Sequence, residues 1–79
     1  MKCYICGATA TEVHHLIYGS GFRELSDKYG LTERLCRDCH AKVHTQKMLM
    51  VWSKQEGQRR FEAIYGHDEY MRIFKRNFL

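Results

Sequence analysis

The chain has 79 residues, of which 44% are hydrophobic, and its formal net charge is +4. This length predicts one domain with a small core, of a size that often needs a bound metal or a disulfide, and the sequence has no apolar run long enough for a membrane-spanning helix. The charge permits a polyanionic partner without requiring one, because many solvated surfaces are as basic. The first six residues lack an apolar signal-peptide core, so we expect a cytoplasmic protein with reduced thiols.

The first 35 residues predict a turn, two strands and a loop. Residues 1–12 contain a Cys-x-x-Cys turn closed by Gly7. Residues 13–18 form a β-prone apolar run, and a glycine-bearing loop and a polar stretch follow as far as Gly30. A second short strand is predicted near residues 31–35. We expect Ser26 to cap a turn of helix over residues 27–29.

Residues 36–79 are predicted to be helical, because their apolar residues recur at helical spacing. Gly57 is expected to mark a break, Gly66 to end a helix, and His67 to start the last one without any partner nearby. Four aromatic residues at helical spacing are assigned to the core: Trp52, Phe61, Tyr65 and Phe74. The predicted fold class is therefore small α+β.

The four cysteines form two chelating pairs, Cys3-x-x-Cys6 and Cys36-x-x-Cys39. Each such turn brings two thiolates within reach of one ion at about 2.3 Å, and two turns complete the tetrahedral sulfur cage of a structural Zn²⁺ site. An iron–sulfur or rubredoxin-like centre, and a mixed cysteine–histidine ligand set, remain alternatives. Disulfides, haem attachment through Cys-x-x-Cys-His and a thioredoxin-like redox pair are disfavoured, because the export signal or βαβ context they need is missing.

Four of the five histidines fall into two groups. His14 and His15 are adjacent on a predicted strand, so their side chains should point to opposite faces and one of them at most should face a given metal. His40 and His44 are four residues apart on a predicted helix, so both project from one face. Two imidazoles at that spacing can chelate a single divalent ion.

Two stretches carry a family resemblance. Val13-His14-His15-Leu16, followed by Leu35-Cys36-Arg37-Asp38-Cys39-His40-Ala41-Lys42-Val43-His44, resembles the HNH endonuclease family, and the added Cys3-x-x-Cys6 is similar to its zinc-ribbon-bearing, small phage- or prophage-encoded members. The resemblance covers roughly residues 3–44. It implies a ββα-metal (His-Me finger) core with a four-cysteine zinc knuckle over residues 1–45 and a C-terminal helical extension over residues 46–79, together forming a single nuclease-like domain.

The resemblance implies a metal-dependent DNA endonuclease that leaves 5′-phosphate and 3′-hydroxyl ends. His15 matches the general base, and His14, His40 and His44 match the ligands of a catalytic divalent metal (Mg²⁺, Mn²⁺, Ni²⁺ or Zn²⁺). An imidazole, which ordinarily titrates near pH 6.5, suits general-base work at about cellular pH if it is not also a metal ligand.

The implied partner is DNA, and a homodimer or a larger phage or DNA-processing complex is also compatible with the resemblance, whereas a membrane is not expected. The basic residues nearest the proposed site are the candidates for DNA contacts: Arg23, Arg34, Arg37 and Lys42.

One departure from the family concerns its central asparagine, which holds the loop bearing the base. The only asparagine of this chain is Asn77, far from the motif. We expect Ser26, Arg23 or backbone groups to hold the loop instead. The alternative is a non-catalytic zinc-binding module of the same fold that binds nucleic acid or protein.

Overall fold

The computed structural model describes residues 1–19 and 21–79. Two strands form an antiparallel pair: β1 (Glu12–His15) and β2 (Thr32–Leu35). The helices are α1 (Phe22–Lys28), α2 (Arg37–Thr45), α3 (Lys47–Tyr65) and α4 (His67–Phe74), with α1 lying between the strands in sequence. The small α+β class predicted from the sequence is confirmed.

Strand β1 is shorter than predicted, because the cross-strand pairing ends with the bond from the Leu16 N–H to the Leu31 carbonyl at 2.9 Å. The backbone of Ile17 bonds to a side chain instead of a strand: the Ser26 hydroxyl accepts from the Ile17 N–H at 3.2 Å and donates to the Ile17 carbonyl at 2.6 Å. The prediction that Ser26 caps a helical turn over residues 27–29 is therefore wrong. Helix α1 begins at Phe22, and Ser26 lies buried within it.

Helix α3 continues through Gly57, so the predicted break there is wrong. A Cβ atom added to Gly57 would lie 2.6 Å from Cγ1 of Ile17 and 3.1 Å from Cβ of Leu16. The glycine thus allows α3 to pass directly against the segment that follows β1. The helical half instead bends at Gln46, an extended residue (φ −96°, ψ 119°) between α2 and α3.

Gly66 ends α3 as predicted, with a left-handed φ of 86°. His67 begins α4, also as predicted, but the expectation that it has no partner is wrong. Its Nδ1 atom lies 2.7 Å from Oε2 of Glu62, in the last turns of α3. This contact lies at the junction of the two helices, away from the sheet.

Two groups of buried residues form the core, and Trp52 of α3 packs against both. The larger group joins the segment after β1 to α3 and α4: Leu16, Ile17, Leu31, Phe61, Tyr70 and Phe74. The smaller group joins the N-terminal turn, β2 and α2: Cys3, Leu35, Cys39 and Val43. The prediction that Tyr65 belongs to the core is wrong. It is the last residue of α3 and is 50% exposed, although its ring contacts those of Tyr29 and Phe61.

Among the described residues, no helix combines the length and the apolar character that crossing a membrane requires.

Candidate metal centres

The four cysteines converge at the junction of the N-terminal turn, β2 and α2. The turn bearing Cys3 and Cys6 is closed by the Gly7 N–H, which donates to the Cys3 carbonyl at 3.0 Å. Cys36 is the N-cap of α2, and its sulfur accepts from the Cys39 N–H at 3.4 Å. The four Sγ atoms all lie within 4.8 Å of one another.

This sulfur cluster has the dimensions of a metal site and not those of a disulfide. Sγ of Cys6 and Sγ of Cys36 are 3.7 Å apart, which is about the edge of a tetrahedron with metal–sulfur bonds of roughly 2.3 Å. A disulfide would require about 2.05 Å. The cluster can therefore bind a metal ion such as zinc. It contains all four cysteines and no histidine, so a mixed ligand set is not needed.

The surroundings of the two buried thiols, Cys3 and Cys39, shift their pKa values in opposite directions. Burial raises the pKa of Cys3, but hydrogen bonds from the backbone of Cys36, Cys6 and Ile5 outweigh it and lower this pKa to about 6. Burial, together with the neighbouring sulfurs, raises the pKa of Cys39 to about 12. Ionisation is thus favoured at Cys3 and opposed at Cys39, and a cation bound among the sulfurs would offset the cost of ionising Cys39.

The second cluster joins β1 to α2. His14 of β1 and His40 and His44 of α2 each present a ring nitrogen, and these three atoms lie within 4.8 Å of one another. The ring centroid of His14 is 5.1 Å from that of His40 and 5.4 Å from that of His44. Because His40 and His44 are one helical turn apart, both rings reach the same side of α2. The structure therefore brings together the three residues proposed as catalytic-metal ligands.

Two polar partners fix which nitrogens face the cluster. The Ser53 hydroxyl donates to the Leu16 carbonyl at 2.7 Å, so its oxygen accepts from Nε2–H of His14, also at 2.7 Å. Nδ1 of His14 is then left as the lone-pair nitrogen. Oε1 of Glu12 accepts from Nδ1–H of His40 at 2.6 Å, which leaves Nε2 of that ring. Hydrogen bonds of this kind orient the histidine ligands of metal sites.

Burial favours the neutral form of two of the three clustered rings, those of His14 and His44. Burial lowers the pKa of His14 to about 4, with further contributions from the charges of His40, His44 and His15. Burial also lowers the pKa of His44, assisted by His40. His14 is 1% exposed. A neutral ring at His14 and at His44 carries a free lone pair, which is the form in which imidazole binds a metal ion.

The cluster lies in the wall of a cavity of about 230 Å³, whose lining comprises His14, His15, Tyr18, Arg23, His40 and His44. His15 borders this cavity without joining the three-histidine group. Its Nε2 atom lies 3.3 Å from Oδ1 of Asp27, in α1. The Tyr18 hydroxyl donates to the Val43 carbonyl at 2.9 Å, which holds the ring of Tyr18 over α2.

The four basic candidates for DNA contacts are placed differently. Arg23 lines the histidine cavity and an adjoining one formed with Glu24 and Asp27. Arg34, Arg37 and Lys42 are exposed on β2 and α2 but do not line either cavity.

Sequence reasoning missed Glu12, Asp27 and Ser53. Each is a common polar residue, and Asp27 and Ser53 are separated from their histidines by 12 and 39 positions. Glu12 lies two residues before His14, but its partner is His40, which is 28 positions away. No local spacing rule connects such pairs.

Comparison with protein-family models, with curated proteins and with solved structures gives no match to this chain.

Proposed function

We propose that the chain is a metal-dependent endonuclease that hydrolyses phosphodiester bonds in DNA, and that β1, β2 and α2 form a ββα-metal core. One arrangement carries this proposal. Three imidazole nitrogens, from His14, His40 and His44, lie within 4.8 Å of one another, while His15 borders the same cavity and pairs with Asp27 instead of joining them. Metal-assisted hydrolysis needs metal ligands and, beside them, a general base that does not itself bind the metal.

The ring nitrogens left free by Ser53 and Glu12, Nδ1 of His14 and Nε2 of His40, would hold a divalent ion together with His44. Such an ion supplies neutralisation of the charge that grows on the phosphate and on the leaving oxygen. His15 donates its Nε2–H to Asp27, which leaves Nδ1 as the basic nitrogen. That nitrogen would take a proton from water, and the resulting hydroxide would attack phosphorus. The bond from phosphorus to the 3′ oxygen would break, and the leaving oxygen would take a proton from solvent to give the 3′-hydroxyl end. Arg23 binds a phosphate oxygen in the same cavity.

Helix α1 supplies the restraint that the family obtains from its central asparagine. Ser26 bonds both backbone groups of Ile17, two residues after His15. Asp27, the next residue of α1, contacts the His15 ring itself. The base is thus held at its backbone and at its side chain by one short helix.

The cysteine cluster is proposed to hold a structural Zn²⁺. It ties the N-terminal turn to α2, and α2 carries two of the three histidines. Metal analysis of purified protein should find one zinc ion for each cysteine cluster, and the sample should be colourless. Visible absorption from bound iron would instead show that the cysteine cluster is a rubredoxin-like centre.

Plasmid nicking tests the proposed reaction. Supercoiled DNA is incubated with wild-type protein and Mg²⁺, Mn²⁺ or Ni²⁺, in parallel with His15→Ala, His40→Ala and the control His67→Ala, which lies outside the cavity. We expect the nicking rate of His15→Ala to fall about 10²–10⁴-fold while its metal affinity stays unchanged. His40→Ala should lose both nicking activity and metal affinity, and His67→Ala should match wild type. A wild-type protein that binds DNA but is inert with every metal would leave the non-catalytic binding module as the function.

A further inference from the structure

A groove of about 380 Å³ lies beside α3, on the side where the C-terminal tail crosses it. We call it the tail groove. It is lined by three cations and several uncharged residues, among them Lys47, Lys54, Arg76, Val51, Asn77 and Phe78. The lining contains no carboxylate.

The wall formed by the tail is held in place by specific hydrogen bonds. The Gln58 side chain donates to Oδ1 of Asn77 and accepts from the Phe78 N–H, both at 2.7 Å. The Gln55 amide donates to the Phe78 carbonyl at 2.9 Å. The Tyr70 hydroxyl donates to the Arg76 carbonyl at 2.7 Å. Gln58 is fully buried, so the groove has a fixed shape.

The three cations of the tail groove have no acidic partner. Within residues 1–19 and 21–79, neither Lys47, Lys54 nor Arg76 forms an ion pair. Nζ of Lys54 lies 5.6 Å from the Phe78 ring centroid, and the Arg76 guanidinium lies 5.8 Å from the same centroid. Two cations are therefore gathered around one aromatic ring, with their charge uncompensated.

Tyr18 connects this groove to the histidine cavity. Nζ of Lys54 lies 4.8 Å from the Tyr18 ring centroid. The same ring lines the histidine cavity and lies 4.5 Å, centroid to centroid, from the His44 ring. One aromatic ring thus separates the first cation of the groove from the proposed metal site.

We infer that the tail groove binds the phosphate backbone of the nucleic-acid strand that continues out of the histidine cavity. The inference rests on the proposed function and adds to it the path of the substrate. A strand of DNA carries one phosphate charge for about every 3.4 Å of helix axis, so phosphates adjacent to the one being cleaved must meet whatever lies beyond Tyr18. The charge of the groove complements that ligand, whereas an apolar peptide would leave the three cations without partners.

Salt-dependent DNA binding tests this path. The zinc-loaded full chain, without added divalent metal, is titrated against a fluorescent DNA duplex of about two helical turns, and anisotropy is followed from about 50 to 200 mM salt. The test variant is Lys54→Gln/Arg76→Gln. The control is Lys2→Gln/Lys28→Gln, which removes the same charge elsewhere; Lys28 also sits over an aromatic ring, that of Tyr29, at 5.4 Å.

We expect the test variant to lower the slope of log affinity against log salt by about 0.9 for each lost phosphate contact, and the control to keep the wild-type slope. The charge-preserving Lys54→Arg/Arg76→Lys should keep it as well, which separates loss of charge from loss of folding. Equal slopes in the test variant and the control would overturn the inference. If wild type nicks plasmid and the test variant binds DNA normally, the tail groove is not the path of the strand, but the proposed nuclease function stands. If the slope changes as expected and no metal supports nicking, DNA binding in the tail groove stands and the nuclease proposal fails.

Discussion

Nε2 of His14 and the hydroxyl oxygen of Ser53 lie 2.7 Å apart, and both residues are buried. Ser53 belongs to α3, so this bond joins the histidine cluster to the helix that follows the motif region. Because the hydroxyl also donates to the Leu16 carbonyl, it holds the end of β1 as well as the ring. The C-terminal half of the chain thus sets the orientation of the His14 ring, a proposed metal ligand, in the N-terminal half.

Replacing Ser53 by alanine should weaken both the fold and the metal site. The His14 N–H would lose its acceptor in the core, which costs about 1–3 kcal/mol of unfolding free energy, and loss of such an orienting partner lowers metal affinity by about 10–100-fold. Urea unfolding and calorimetric titration with Ni²⁺ measure the two effects. The control is Thr45→Ala, which removes an exposed hydroxyl from α2. Unchanged nickel affinity in Ser53→Ala would show that Ser53 does not orient His14.

Replacing Asp27 by asparagine should slow DNA nicking only slightly. Asp27 lies 3.3 Å from His15 but its side chain is 77% exposed, and exposed pairs of this kind contribute roughly 0.2–1 kcal/mol. The expected loss is therefore no more than about fivefold, far less than for His15→Ala. The measurement is the nicking rate at saturating metal, with Asp68→Asn of α4 as control. A loss as large as that of His15→Ala would mean that Asp27 takes part in the reaction itself.

Replacing Gly57 by alanine should destabilise the protein even though alanine is the better helix former. The new Cβ would meet Cγ1 of Ile17 at 2.6 Å, and overpacking of this kind typically costs about 1–3 kcal/mol, against a gain of up to about 1 kcal/mol in helix propensity. Urea unfolding measures the balance.

The same substitution in an Ile17→Ala background tests the cause. The cost of Gly57→Ala should be smaller there, because the nearest clashing atoms are gone. An equal cost in both backgrounds would place the strain elsewhere.

The stability of the protein without metal at the histidine site should fall as the pH falls from 6.5 towards 4. The pKa of His14 is lowered from 6.5 to about 4 in the folded chain. In this interval the unfolded chain therefore binds a proton that the folded chain does not, and the unfolding free energy decreases with decreasing pH. The total loss is on the order of 3 kcal/mol, and it levels off below the folded pKa.

Urea unfolding of wild type and His14→Gln across this range isolates that contribution. The difference in stability between the two proteins should shrink as the solution becomes more acidic, because only wild type has an imidazole to protonate at this position. Parallel curves for the two proteins would contradict the lowered pKa.

Local spacing predicted the parts of this molecule whose partners are near in sequence. The two Cys-x-x-Cys turns and the one-turn interval between His40 and His44 each specify a geometry by themselves. Gly66, which ends α3, was likewise predicted from its local sequence alone. These patterns could not give the partner across the fold. The Tyr4 N–H, for example, bonds the Arg34 carbonyl at 3.0 Å and helps to hold the first cysteine turn beside β2.

The errors have the same origin. Serine is a common helix cap, but the Ser26 hydroxyl forms hydrogen bonds with the backbone of Ile17, nine residues earlier. Glycine often breaks a helix, but α3 continues through Gly57. Here the glycine is needed because Leu16 and Ile17 occupy the space that a side chain would fill. In both cases tertiary packing overrides a local preference.

The residues proposed to carry the chemistry precede α3, the helix that packs against them, in the order of synthesis. Both ligand sets lie before residue 45, whereas Ser53, Gly57 and Phe61 emerge from the ribosome later, at roughly 5–20 residues per second. A nascent chain that has exposed all its cysteines and the clustered histidines still lacks the helix against which Leu16 and Ile17 pack. Prematurely terminated products should therefore lack the folded histidine site, and the proposed reaction should require the later helices.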